Sequence, residues 1–424
     1  MNRNMVSPGV YVTALPGEKF KRCRISVHMA LPGERETATA LAVLPHLLCR
    51  CCEAIPDPLQ LSRRLFELYG AEVNGESYQV GASRMVSLRI SGVKPAFALA
   101  DEDLQAEYIS LLCELLFSPK LEGAAFSAAD FVVEQEKQAD FLKSEMNEKR
   151  SYCLRQARRK LFGDSPHGLE SAGYLDDIAG LTPDFVYECY RALLQTAQVE
   201  IMVTGLDAGQ VGAAIAARFG GVEGRAPEAP LRADPIVPSA AMEIATEAMD
   251  TVQGKLCILC PSGILPDEKD AAALRVASAV LGQLPTSRFF MNVREKKSLC
   301  YYCVCSYSAS TGVLCIDSGI DHENITKAAE ALLHELRVMQ QDLITEEELA
   351  QAKSALQNSF TAALRDNMAA LEGWYLNQQL LGFTPEPDEA ERLTAAVTCE
   401  EVRDALAVFA PALEYVLTRK EGTQ

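Results

Sequence analysis

The 424-residue chain carries 58 acidic against 40 basic side chains, a formal charge of -18, with 48% apolar and 23% charged residues. That balance is globular, and the length exceeds one ordinary core, so two or three domains are expected. The charge disfavours a nucleic-acid backbone or an anionic membrane as partner, since like charges repel over a Debye length of roughly 8 to 10 Å. No apolar run approaches the ~18 residues of a membrane span, and the stretch Met1 to Gly9 lacks the apolar core of a secretory leader. The 14 cysteines are therefore expected as reduced thiols in a cytoplasmic setting, many packed as small hydrophobes.

In chain order, Arg24 to Leu31 alternates as a half-buried strand, Pro32 to Glu36 reads as a turn, and Thr37 to Leu48 as a helix. The same plan returns later: Leu256 to Cys260 as strand, Leu265 to Asp270 as turn, Ala271 to Leu281 as helix. Further pairs keep the order. Met85 to Gly92 matches Val313 to Gly319, each a period-two strand ending at Gly. Ser127 with Asp130 matches Thr345 with Glu348, a hydroxyl three residues before an acid at the start of a helix. Leu181 to Val186 matches Val397 to Val402 as a helix start, and Val199 to Gly205 matches Leu413 to Arg419 as a closing strand. Five landmark pairs in one order indicate a diverged duplication.

The Gly/Pro-rich stretch after Gly220, through Pro235 and Pro238, reads as the interdomain linker. The expected organisation is a first domain over 1–220, a linker over 221–238 and a second domain over 239–424. Each half is expected to be an α+β unit, with long helices packed on one face of an antiparallel or mixed sheet.

One charged turn stands out, running from Ser287 through Arg294 to Tyr301 and Tyr302. Phe289, Phe290 and Val293 recur at helical spacing and the residues after Leu299 alternate, which puts Arg294 and Tyr301 at a helix-to-strand junction. An Arg fork beside a phenol can grip a carbonyl or a carboxylate. The run Arg294-Glu295-Lys296-Lys297-Ser298-Leu299-Cys300-Tyr301 resembles the second-domain signature of the insulinase/pitrilysin family of zinc metalloendopeptidases, which includes processing-peptidase subunits, and the resemblance extends along nearly the whole chain. It implies homologous units arranged as a clamshell around a peptide chamber, with Arg294 and Tyr301 as substrate-binding residues.

Active members of that family carry an inverted zinc motif, H-x-x-E-H, on the helix after the first strand, with a further Glu ligand on a later helix. Here the matching helix reads Leu44-Pro45-His46-Leu47-Leu48-Cys49-Arg50. His46 stands at the first ligand position, Cys49 replaces the general-base Glu and Arg50 replaces the second His. Arg keeps its proton and cannot ligate zinc, and a thiol is a poor proton acceptor for metal-bound water. The third ligand falls at Lys143, or at Glu145 after a shift of two. A non-standard site would combine His46, Cys49 and Glu53 on one helical stripe.

Cys257/Cys260 and Cys300/Cys303/Cys305 have zinc-ribbon spacing but lie on expected strands, where i and i+3 point to opposite faces unless a turn intervenes. No phosphate-binding loop, dinucleotide fingerprint or serine-nucleophile elbow is present in the sequence. The expected function is a catalytically degenerate, non-catalytic subunit without a zinc cofactor. It would bind peptide and complete a chamber with an active homologous chain, as a heterodimer or a homodimer. The alternatives are a self-sufficient zinc metallopeptidase using His46 and a purely structural assembly subunit.

Overall fold

The alternating run that opens the first repeat forms a long strand in a computed structural model that describes residues 3–230, 235–238, 241–381 and 386–419. The first half supplies strands β1 (Arg3–Ser7), β2 (Val10–Leu15) and β3 (Arg22–Pro32), helix α1 (Ala38–Leu48), and the hairpin β4 (Glu72–Val80) and β5 (Ser83–Val93). Helices α2 (Ala128–Glu145), α3 (Lys149–Phe162) and α4 (Pro183–Thr196) follow, then β6 (Gln198–Thr204). The second half contributes β7 (Glu243–Ala248), β8 (Gly254–Pro261), α5 (Glu268–Gly282), β9 (Cys300–Ser308), β10 (Val313–Ile320), α6 (Glu346–Phe360), α7 (Cys399–Leu406) and β11 (Leu413–Thr418).

The first sheet has strand order β1-β2-β6-β3-β5-β4 and the second β9-β10-β8-β11-β7. In each, the strand preceding the first long helix of the repeat is central and antiparallel to both neighbours. In each, the closing strand also pairs in parallel with an earlier strand, β6 with β2 and β11 with β7. Setting β1 aside, the two orders superpose, so the duplication read from landmarks is a duplication of topology, and both sheets are mixed. β4 and β9 occupy equivalent sheet edges.

Two of the capping signals form as reciprocal boxes, Thr345 with Glu348 and Thr398 with Glu401. The Ser127 and Asp130 pair does not. Ser127 donates its hydroxyl to Glu122 at 2.8 Å, and Asp130 is drawn instead to Arg50 and Lys120, because a carboxylate gains more from two cations than from a backbone N–H.

The chain divides into two compact units, Met1–Ser144 with Leu169–Arg232, and Glu145–Gly168 with Ala233–Gln424. The segment 145–168, placed by the sequence in the first domain, thus belongs to the second unit. Its helix α3 lays Cys153, Ala157 and Phe162 against Cys257, Leu259, Val313, Leu413, Tyr415 and Leu417. The opposite face of the same sheet, with Leu256, Ile258 and Cys260, packs on α5. Helices therefore cover both faces of this sheet rather than the one expected. The unbroken apolar run Leu256 to Cys260 is the signature of a strand buried on both sides.

The linker is fastened where it is described. Arg225 donates to the carbonyls of Leu194 and Ala197 at 2.5 and 2.9 Å, and Glu228 N–H donates to the Thr196 carbonyl at 2.7 Å. Gly263 N–H donates to the Ile236 carbonyl at 3.0 Å. Residues 231–234 of the expected linker lie outside the described residues.

Candidate functional site

Helix α1 is apolar almost all round, and His46 is its one exposed side chain. It presses on β4 at Gly75, where a Cβ would stand 2.5 Å from the Pro45 carbonyl oxygen and 2.9 Å from the Cys49 sulfur. Only glycine permits that approach. The helix ends at Leu48, so the stripe that would have carried Glu53 seven residues past His46 does not exist. Glu53 lies beyond the helix, exposed, with its N–H bonded to the Ser118 carbonyl.

Arg50 reaches across to α2. Its Nε donates to Asp130 at 2.7 Å and its Nη1 to Glu134 at 3.1 Å. Lys120 adds a bond to Asp130 at 3.0 Å and Lys137 one to Glu134 at 2.8 Å. Burial pushes the Asp130 carboxyl up, but the hydrogen bonds from Arg50 and Lys120 outweigh it and hold it below its ordinary value. The same bond from Asp130 holds the Arg50 guanidinium further up. Surrounding protein lowers the His46 pKa against the pull of Glu134, with Lys137 reinforcing the drop. Burial pushes the Cys49 thiol up to about 12, so it is protonated at neutral pH.

The carboxylate brought to His46 and Arg50 is thus Glu134. Glu145, the ligand position reached only by a shift of two, pairs with Arg155 at 2.5 Å in the second unit. Lys143, the other position considered, is exposed and lies by Asp140. Asp130 and Glu134 stand four apart on one face of α2, the spacing that lets one Arg bridge both. That i,i+4 acid pair was the available signal.

These residues do not fit a catalytic zinc ion. A fixed cation fills the place of the second His, no carboxylate replaces the general base, and Glu134 already accepts from two cations. Among the described residues, no group of three or more His, Cys, Asp or Glu is placed to hold a metal ion.

In the second unit, Phe289 to Glu295 winds as a π-helical turn with Phe289 and Val293 buried. Arg288 clamps this turn to the start of α6 by a bidentate pair with Glu348 at 2.7 and 3.0 Å. The chain then passes Ser298, whose φ of 51° is strained for a non-glycine residue, and enters β9. Arg294 lies over the Phe290 ring at 4.4 Å with its side chain 39% exposed. Tyr301, also exposed, donates its hydroxyl to Asp321 at 2.7 Å, and that bond raises the phenol pKa. Tyr302 faces the other way, bonded to Asp317 at 3.1 Å. Arg294 and Tyr301 therefore stand on one short, exposed turn-to-strand segment, where the Arg294 fork is open to solvent and suited to holding carbonyl or carboxylate oxygens and the Tyr301 hydroxyl is committed to Asp321.

The chain combines a two-unit duplicated sheet fold with a helix end closed by the ion pairs of Arg50. The family described as peptidase M16 inactive domain matches residues 180–356. A Bacillus subtilis protein named probable inactive metalloprotease YmfF is 28% identical over 349 residues, 80% of each chain. The crystal structure of a conserved protein from Enterococcus faecalis superposes with a TM-score of 0.88 at 26% identity, covering 98% of both chains. An M16 inactive domain from Pseudomonas fluorescens superposes at 0.76 and 16% identity over the full length of each, sharing the fold. Residues 180–356 thus match the M16 inactive-domain family, and the chain over most of its length is similar to a probable inactive metalloprotease.

Proposed function

We propose that this chain binds extended peptide segments and acts with a separate, zinc-bearing M16 homologue, which supplies the hydrolytic centre and together with it encloses a peptide chamber. One contrast carries the reading: the metal helix is closed by Arg50 between Asp130 and Glu134, while the Arg294 fork stays open and Tyr301 is exposed. β9 is a sheet edge, so its outer backbone groups can pair with a peptide strand, with Arg294 holding peptide oxygens. The overall negative charge favours peptides with basic residues. All 14 cysteines are free thiols, which suits a reducing, cytoplasmic setting. Among the described residues no helix is long and apolar enough to cross a membrane.

The test measures anisotropy of fluorescent, unstructured basic peptides on the chain alone, beside zinc content and hydrolysis. Binding without hydrolysis is expected, with bound zinc well below one equivalent. Arg294→Ala should weaken binding about tenfold, ~1.4 kcal/mol. Adding an M16 homologue with an intact H-x-x-E-H motif should restore cleavage. Chelator-sensitive hydrolysis by the chain alone would return it to the enzymes, unchanged affinity in Arg294→Ala would remove Arg294 from the peptide site, and no binding by the wild-type chain would leave a structural assembly subunit.

A further inference from the structure

A regular strand would send Cys300 and Cys303 to opposite faces of the sheet. The ladder between β9 and β10 instead slips between Cys300 and Tyr302. This bulge places two residues where one is expected and turns Cys300 to the side of Cys303. Cys303 is part of the core cluster on that face, and Cys300 packs against the same cluster. Each of the two thiols shifts the titration of the other. Cys300 is half-buried, whereas Cys303 is buried.

We propose that Cys300 and Cys303 form a redox-active dithiol, a modification site at which a peroxide converts the pair into an intramolecular disulfide. Independent features of the site agree with the geometry. The neighbouring Cys303 thiol lowers the Cys300 pKa, opposed by burial and aided by the Ser318 hydroxyl and the positive charge of Arg294. The Cys300 thiol and burial push the Cys303 thiol up, which makes the half-buried Cys300 the nucleophile of the pair. A competing pair, Cys257 and Cys315, stands 3.7 Å apart on the face covered by α3. There the neighbouring Cys315 thiol and burial raise Cys257 well above its ordinary value.

In the first step the Cys300 thiolate attacks one peroxide oxygen; an S–O bond forms, the O–O bond breaks and hydroxide leaves, taking up the proton that Cys300 released. In the second, the Cys303 sulfur attacks the sulfenic sulfur of Cys300; the S–S bond forms, the S–O bond breaks, and the departing hydroxide leaves as water with the Cys303 proton. Two thiols and one hydrogen peroxide thus give one disulfide and two waters, with sulfur oxidised and peroxide oxygen reduced. The new ring closes around Tyr301 and Tyr302 and fixes the bulge. Nothing in this step depends on peptide binding.

The experiment treats the reduced full-length chain with hydrogen peroxide, blocks remaining thiols, and maps all cysteines by peptide mass spectrometry with and without dithiothreitol. Expected is a single early disulfide joining Cys300 and Cys303, reversed by dithiothreitol, with Cys300 alkylated at least about ten times faster than the buried thiols in the reduced chain. In Cys303→Ser, Cys300 should instead accumulate as a sulfenic acid trapped by dimedone. Oxidation scattered over the cysteines would overturn the proposal, as would a Cys300 that reaches sulfinic acid in the wild type. The wild-type map needs no variant, so the result stands even if Cys303→Ser folds poorly.

Discussion

Arg50 is gripped by two carboxylates of α2, whereas Arg294 rests on the Phe290 ring with its nearest paired carboxylate, Glu295, at 3.9 Å. The two side chains mark equivalent questions in the two units, and the answers differ. Asp130 and Glu134 are 13% and 7% exposed, so Arg50 neutralises acids that water cannot reach well. Arg294 neutralises little and keeps its fork in solvent. A charged residue that closes a polar network contributes to stability, and one left on an aromatic shelf is free for a ligand.

The comparison breaks first at Arg50. Arg50→Ala should cost about 3 kcal/mol, because it strands two sheltered carboxylates with one lysine each; urea unfolding would read this as a lower midpoint. Arg294→Ala in the same assay should move stability by less than about 0.5 kcal/mol. Equal losses in both would erase the contrast.

Acid sharpens it. The Asp130 pKa is depressed in the folded chain, so its contribution is complete above the ordinary carboxylate value and is lost as pH falls through the folded one. Stability should drop below about pH 4, and Asp130→Asn should be weaker at neutral pH, by about 1 kcal/mol, but flatter in acid. An unchanged acid slope in that variant would assign the drop to other carboxylates. The smallest effect is expected from Tyr301→Phe, which gives up one exposed bond to Asp321 and should leave the thermal midpoint almost unchanged. A larger loss would make Tyr301 a structural residue.

The duplication was readable because strand alternation, turn residues and caps recur in fixed order, and those signals act over a few residues. The damage to the metal motif was equally plain at Cys49 and Arg50. What escaped was set by distant pairing. The acid pair Asp130 and Glu134 is visible in the sequence, but its meeting with Arg50 is set by tertiary packing, and the residues that meet Arg50 are neither Lys143 nor Glu145, the two positions read from spacing. Cys300 and Cys303 were assigned to opposite faces by strand periodicity, and one bulge reversed that. The assignment of 145–168 failed for a related reason: α3 lies in the first half of the sequence, yet its apolar positions complement the second sheet.

That last feature reaches back to synthesis. A ribosome releases α3 long before β8, β10 and β11 exist, so Cys153, Ala157 and Phe162 wait without the surface they cover. A truncated fragment begun at residue 239 would in turn leave Cys257, Leu259, Leu413 and Leu417 bare on one side of the sheet. Gene splitting at the linker should therefore yield an aggregating C-terminal product, rescued by supplying residues 145–168 in trans.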